Sequence, residues 1–202
     1  MAGTSTTQRF GPEAFRGLPA LLGRPPRIAL MVAPYYDDVT EKLIAGAQDV
    51  LGQASAISTI YEVPGALELP QLFHILTSHS IEGMHDLMDE RAGGAMTIAG
   101  RLEEGLEHEL DGAIAIGCII RGETSHYDVV VDQANSGLMQ VAMEFAVPLG
   151  NALLTVDTKE QALARAEGGA DGKGGDAAKA VLQLIKIANE TSPDRMRATG
   201  SV

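Results

Sequence analysis

Four short apolar runs, each closed by turn residues and separated by stretches of helical period, constrain this chain more than any other feature. They are "RIALMVA" (27–33), "ISTIYEV" (57–63), "DGAIAIGCII" (111–120) and "VPLGNALLTV" (147–156). Runs of this length bounded by Gly, Pro and Asp suit strands, and a run without polar alternation suits a strand covered on both faces. Between the first two, Val39, Leu43, Ile44, Ala47, Val50 and Leu51 recur at helical spacing and form one apolar stripe, with Asp37 or Asp38 available as its cap. Pro70 is placed for the first turn of a helix, where its missing N–H costs little. A further helix is predicted from about Asp132 to Phe145, with Ala134, Leu138, Met139, Ala142 and Phe145 inward. Thr158 and Gln161 have the spacing of a capping box for "KEQALARA", and a last helix is predicted from Asp176 to Ala188. Strands alternating with helices imply an α/β protein: a four-stranded parallel sheet with helices on both faces.

The rhythm breaks between residues 78 and 110, an acidic stretch with two amphipathic patterns around "GG", which reads as an inserted helical excursion. The first 26 residues lack the apolar core of a secretory signal and are expected to form an extended tail, with an organelle transit peptide as the alternative; residues 191–202 form a second tail. What remains, 27–190, is one domain. The formal net charge of -12 sets aside nucleic acid and anionic membrane as general partners, while a local cluster of donors still suits a phosphorylated small molecule. No apolar segment approaches the roughly 20 residues that cross a bilayer. The single cysteine, Cys118, lies in an apolar run and is expected to be a buried structural thiol, in keeping with a reducing compartment.

In open α/β sheets, ligands sit beyond the carboxyl ends of the strands, near a topological switch point. Three polar loops follow strands in that position: "PYYDD", "PGALE" and "RGETSHYD". The third gathers the chemistry. His126 carries an imidazole that titrates near neutral pH in its ordinary state and so suits proton transfer; the alternative is a surface or capping histidine. Gly122 lets backbone approach a ligand, Thr124 adds a hydroxyl, and free N–H groups at a helix start suit a phosphate. Arg121 either binds an anion or pairs with an acidic neighbour, and pairing is the simpler outcome. "GGADGKGGD" is glycine-rich around Lys173 but lacks GxxxxGK[ST], so it is either a flexible start to a helix or a ligand contact, not a nucleotide loop. His74, His79, His85 and His108 have no metal-binding spacing, and no metal is expected.

Taken in order, "VPGALELP", "IRGETSHYD", "VPLGNALLT" and "EQALARA…GKG" resemble the 6,7-dimethyl-8-ribityllumazine synthase family across most of residues 27–190. The resemblance implies a flavodoxin-like fold and a transferase of riboflavin biosynthesis. Its substrates are 5-amino-6-(D-ribitylamino)uracil and 3,4-dihydroxy-2-butanone 4-phosphate, condensed by imine formation, phosphate elimination, ring closure and loss of water. It implies no cofactor, a cytoplasmic protein, and a homo-oligomer, pentameric or larger and in some members an icosahedral capsid, with riboflavin synthase as a candidate partner. By position, His126 matches the catalytic histidine. Glu123 and Thr124 match the phosphate-binding donors, and Arg165 matches the arginine that a neighbouring subunit supplies to the same phosphate. Ala66, Leu67 and Glu68 match the ribityl-contacting turn. Ile119 and Ile120 match positions near the pyrimidine, Lys173 matches a contact to the heterocycle, and Tyr35 matches its stacking aromatic. Asn151 stands where many relatives have phenylalanine, and the spacing around Lys173 departs from the usual pattern. Two other outcomes of such a resemblance are an archaeal-type riboflavin synthase and a non-catalytic flavin- or lumazine-binding, shell-forming relative.

Overall fold

A computed structural model describes residues 10–78 and 110–192. Four strands, β1 (Arg27–Ala33), β2 (Ile57–Glu62), β3 (Gly112–Ile120) and β4 (Leu149–Val156), form one sheet in the order β2-β1-β3-β4. Every pairing is parallel: Leu30 lies opposite Ile60 on one side and Ile114 on the other, and Ile116 lies opposite Ala152. Each parallel connection needs a crossover, and helices supply them. In chain order the helices are α1 (Leu18–Leu22), α2 (Asp37–Gln53), α3 (69–78), α4 (His126–Glu144), α5 (Lys159–Ala166) and α6 (Lys173–Glu190), of which α2, α3 and α4 lie between strands.

Alternation along β3 sorts the core into two layers. Ile114, Ile116 and Cys118 point to the face covered by α2, α5 and α6, where they meet Leu43, Ala47, Ala162, Val181 and Leu182. Ala113, Ala115 and Ile119 point to the other face and meet Phe73 of α3 and Ala134, Leu138 and Val141 of α4. β3 is buried along almost its whole length, as its unbroken apolar run predicts, whereas the edge strand β2 is mostly exposed. The switch point of this strand order lies between β1 and β3, whose crossovers run to opposite faces.

Several expectations need correction. The stretch 1–26 is not an extended tail over its described part: a 3-10 turn at Pro12–Phe15 precedes α1, and Phe15 and Leu18 are buried in the α2–α6 layer. Arg24 then holds Asp111 through a two-pronged contact of 2.6 and 3.0 Å, and the same carboxylate accepts the Arg27 N–H at 2.7 Å. Two apolar side chains spaced for one helical face carried that signal. Neither Asp37 nor Asp38 caps α2; both stand in its first turn, where negative charge suits the helix dipole. α4 starts at His126 rather than Asp132, because the β-branched run "DVVV" is a poor helix former by propensity and is helical here by packing on the sheet. Thr158 does cap α5, accepting the Gln161 N–H at 3.3 Å, while the Gln161 side chain reaches back to the Asp157 N–H at 2.9 Å. The excursion assigned to 78–110 lies outside the described residues apart from its two ends, as do residues 1–9 and 193–202.

The glycine-rich stretch before α6 is set by close packing in this fold. A Cβ at Gly174 would run into the Leu43 carbonyl, and one at Gly175 into the Ala170 carbonyl. The first turn of α6 therefore lies backbone against backbone on α2, and the helix begins at Lys173, three residues earlier than the periodicity suggests.

Candidate active site

A cleft of about 460 Å³ opens at the carboxyl end of β1 and β3. Ala33, Tyr35 and Tyr36 come from the end of β1, Pro64 to Glu68 from the turn after β2, and Cys118, Ile119 and Ile120 from the end of β3. Gly122, Thr124, His126, Tyr127 and Val130 come from the loop after β3 and the first turns of α4. Three chain segments that are distant in sequence thus converge because parallel strands release them at the same end of the sheet.

The floor is apolar, from Ala33, Ile119 and Val130, and the rim is polar. Tyr35 is 73% exposed and meets Tyr36 edge-on, with ring centroids 5.0 Å apart. Such a ring offers an uncovered face to a flat ligand. Burial, then the neighbouring Tyr35 and Cys118, raise the Tyr36 phenol pKa, with Lys159 opposing, so Tyr36 stays neutral. Burial, helped by the Asp38 carboxylate, pushes the Cys118 thiol up to about 11, which makes it a poor nucleophile at neutral pH. Glu68 stands in the 3-10 turn Ala66–Glu68 with its carboxylate available to hydroxyl donors.

His126 is the first residue of α4 and is exposed toward the cleft. The preceding residue, Ser125, makes no side-chain capping bond. The amides of Gly122, Glu123, Thr124 and Ser125 make no hydrogen bond among the described residues, in contrast to Arg121, whose N–H donates to the Val156 carbonyl at 2.9 Å. A run of free N–H groups at the positive end of a 19-residue helix is a site for an oxyanion. Arg121 is not such a donor here. Its Nε meets Asp157 at 3.1 Å, its Nη1 meets Asp128 at 3.2 Å, and its guanidinium lies 4.1 Å from the centre of the Tyr127 ring. Pairing, not anion binding, is its state.

Of the residues singled out from sequence, Tyr35, Ala66, Leu67, Glu68, Ile119, Ile120, Thr124 and His126 are brought together in this cleft. Glu123 is exposed between two lining residues without contributing to the wall. Asn151, Arg165 and Lys173 do not line it within one chain. Asn151 lies on the edge strand β4, where its Nδ2 donates to Asn135 Oδ1 at 2.8 Å and its Oδ1 accepts the Leu153 N–H at 2.9 Å. Lys173 pairs with Asp176 at 2.8 Å at the start of α6. Arg165 projects, exposed, from the last turn of α5 and has no ion pair among the described residues. Tyr36, Cys118 and Tyr127 are wall residues that the sequence did not single out. The period-two alternation along β3 held the signal for Cys118, which shares the side of Ile120.

Among the described residues, no group of three or more His, Cys, Asp or Glu side chains is placed to hold a metal ion, and no helix is long and apolar enough to cross a membrane. His74, one of the histidines considered for a metal, packs edge-on against Phe145 at 5.1 Å; His79, His85 and His108 lie outside the described residues.

A parallel sheet in this strand order, with a polar cleft at its switch point, defines the flavodoxin-like class of small-molecule α/β proteins. Within that class the chain belongs to the 6,7-dimethyl-8-ribityllumazine synthase family, whose model matches residues 25–189. A protein of that name from Methylorubrum populi is 40% identical over 161 residues, covering 80% of this chain and 82% of its own length. One from Methylobacterium radiotolerans is 38% identical over 169 residues, covering 84% and 85%. One from Jannaschia sp. is 36% identical over 171 residues, covering 85% and 79%.

Proposed function

We propose that the chain is the transferase of riboflavin biosynthesis that condenses 5-amino-6-(D-ribitylamino)uracil with 3,4-dihydroxy-2-butanone 4-phosphate to form 6,7-dimethyl-8-ribityllumazine. Family membership carries the activity. The observation that supports the site is the convergence of Tyr35, Glu68, Thr124 and His126 on one cleft beside the free amides of 122–125.

The pieces have complementary chemistry. The pyrimidine lies on the Tyr35 ring against Ile119 and Ile120, and its ribityl hydroxyls donate to Glu68. The phosphate of the second substrate is held by the amides and the Thr124 hydroxyl at the start of α4, where neither a metal nor a cofactor is needed to neutralise it. The amine attacks the ketone, and water leaves as the imine forms. Phosphate is then eliminated as a proton is taken from carbon, and ring closure expels a second water. Each step moves a proton, and His126 is the group in the cleft suited to move it near neutral pH.

A homo-oligomer, pentameric or larger, belongs to the same proposal. Arg165 is an exposed guanidinium in the last turn of α5, outside its own chain's cleft wall, and it would complete the phosphate site of a neighbouring protomer, with Lys173 and Asn151 on the same shared border. Mixing both substrates with the pure protein and following the lumazine absorbance tests the activity, and absence of product rejects it. Riboflavin formed from lumazine alone would mark a riboflavin synthase instead, and lumazine binding without turnover would mark a non-catalytic relative. Particle mass by light scattering tests the assembly: a monomer that turns over fully removes Arg165 from the site.

A further inference from the structure

We propose that Arg121 is a positioning residue for His126, acting as a clamp that fixes the first turn of α4 to the end of β4. This inference rests on the assignment of His126 as the proton-transferring group.

The need for a clamp follows from how α4 begins. A helix N-terminus leaves its first N–H groups without partners, and a side-chain cap at the preceding residue usually satisfies one of them. Ser125 makes no such bond, and the amides just before it are free. An uncapped, exposed first turn is the part of a helix most prone to fraying, and here that turn begins with the imidazole. If the same amides bind a phosphate, a side-chain cap would compete with the substrate for them. The turn has to be held by something other than its own N–H groups.

Arg121 supplies that hold from outside the helix. Its backbone is fixed, because its N–H donates to the Val156 carbonyl at 2.9 Å and so continues the β3–β4 ladder past the last residue of β3. Its side chain then grips the two residues that immediately follow His126. The guanidinium covers the Tyr127 ring at 4.1 Å, and Nη1 meets the Asp128 carboxylate at 3.2 Å. On its far side Nε meets Asp157, directly after β4, at 3.1 Å. One planar cation therefore links the ends of β3 and β4 to the helix turn, while His126 itself is left free to face the cleft. Each contact alone is an exposed pair of small value for overall stability. Their common geometry matters instead for where the imidazole stands. Lysine, a point charge without a fork, cannot reproduce the arrangement.

The test compares wild type with Arg121→Ala, Arg121→Lys and Asp157→Asn by steady-state kinetics, thermal melting and amide hydrogen exchange. Misplacing a reacting group by about 1 Å costs on the order of 10²-fold. Arg121→Ala is expected to lower kcat by up to about that factor, with KM for the phosphorylated butanone within about threefold and the melting temperature nearly unchanged. Arg121→Lys restores only part of kcat. Arg121→Ala and Asp157→Asn combined lose little more than Arg121→Ala alone, because both break the same clamp. Exchange needs no substrate. The Asp128 and Val129 amides, bonded to the Ser125 carbonyl at 3.1 and 3.4 Å, should exchange faster in Arg121→Ala, while those of β3 do not change. Unchanged exchange at Asp128 and Val129 overturns the proposal whatever the activity. A raised KM for the phosphorylated butanone at constant kcat also overturns it, since that is the mark of a direct anion contact. If exchange responds but wild type forms no lumazine, the clamp stands and the assigned reaction falls.

Discussion

Helices α6 and α4 begin in opposite ways. α6 starts with glycines pressed onto backbone, Gly174 onto Leu43 of α2 and Gly175 onto Ala170, so that neither has room for a single added carbon. α4 starts in solvent, uncapped, with an exposed imidazole and a turn held by one arginine. The difference separates two uses of the same local structure. A helix start sealed by backbone contact has its glycine backbone committed to packing. One left open keeps its N–H groups and side chains available to a ligand, at the cost of needing an external hold.

Four experiments break or sharpen this contrast. Replacing His126 by alanine should have the largest effect, a loss of about 10²–10⁴-fold in kcat, with thermal stability preserved because the residue is exposed. Equal turnover in variant and wild type would remove His126 from the chemistry. At the sealed end, Gly174→Ala should destabilise by about 1–3 kcal/mol in urea unfolding, because backbone must move to admit the methyl group. Its kcat per folded molecule should hardly change.

Smaller effects separate capped from uncapped starts. Thr158→Ala removes the bond to the Gln161 N–H and should cost about 1 kcal/mol, whereas Ser125→Ala, with no capping bond to lose, should stay within about 0.5 kcal/mol. Equal costs at the two sites would erase the distinction. The smallest signal is a slope in stability at alkaline pH from Cys118. Burial first, and the Asp38 carboxylate second, raise its pKa from 9.0 to about 11. Between those values the unfolded chain has released the thiol proton and the folded chain still holds it, so stability falls as pH rises. Cys118→Ser should flatten that slope in melts taken across the same range, and reaction of wild type with a thiol reagent at pH about 8 should be slow until the protein unfolds.

Much of the architecture was legible because burial imposes simple periods. β3 is apolar at every position since both its faces are covered, and α2 shows its stripe since only one face is. The exposed loops were legible as polar interruptions at strand ends, which brought His126 into view, while the family resemblance picked Tyr35 and Glu68 out of theirs. Three things were hidden for physical reasons. The start of α4 was masked by β-branched residues whose local preference yields to packing on the sheet. The glycines around Lys173 resemble a loop by composition, because close backbone approach and flexibility call for the same residue. The stretch before β1 holds two buried anchors, Phe15 and Leu18, in a segment too short and too rich in Gly and Pro to show a helical period. For the site, Arg165 and Lys173 stay outside the cleft wall of their own chain, and it was the family resemblance, not periodicity, that pointed to them.

The pairing of Asn151 with Asn135 ties β4 to α4 through a side-chain bond. Both ends of the Asn151 amide are engaged, one with Asn135 and one with the outward N–H of Leu153 on the sheet's edge. An aromatic ring introduced at 151 would leave the exposed Asn135 oxygen to water, but would take from the part-buried Leu153 N–H its side-chain acceptor. The cost of a ring at 151 therefore falls on the Leu153 N–H, whatever residue stands at 135.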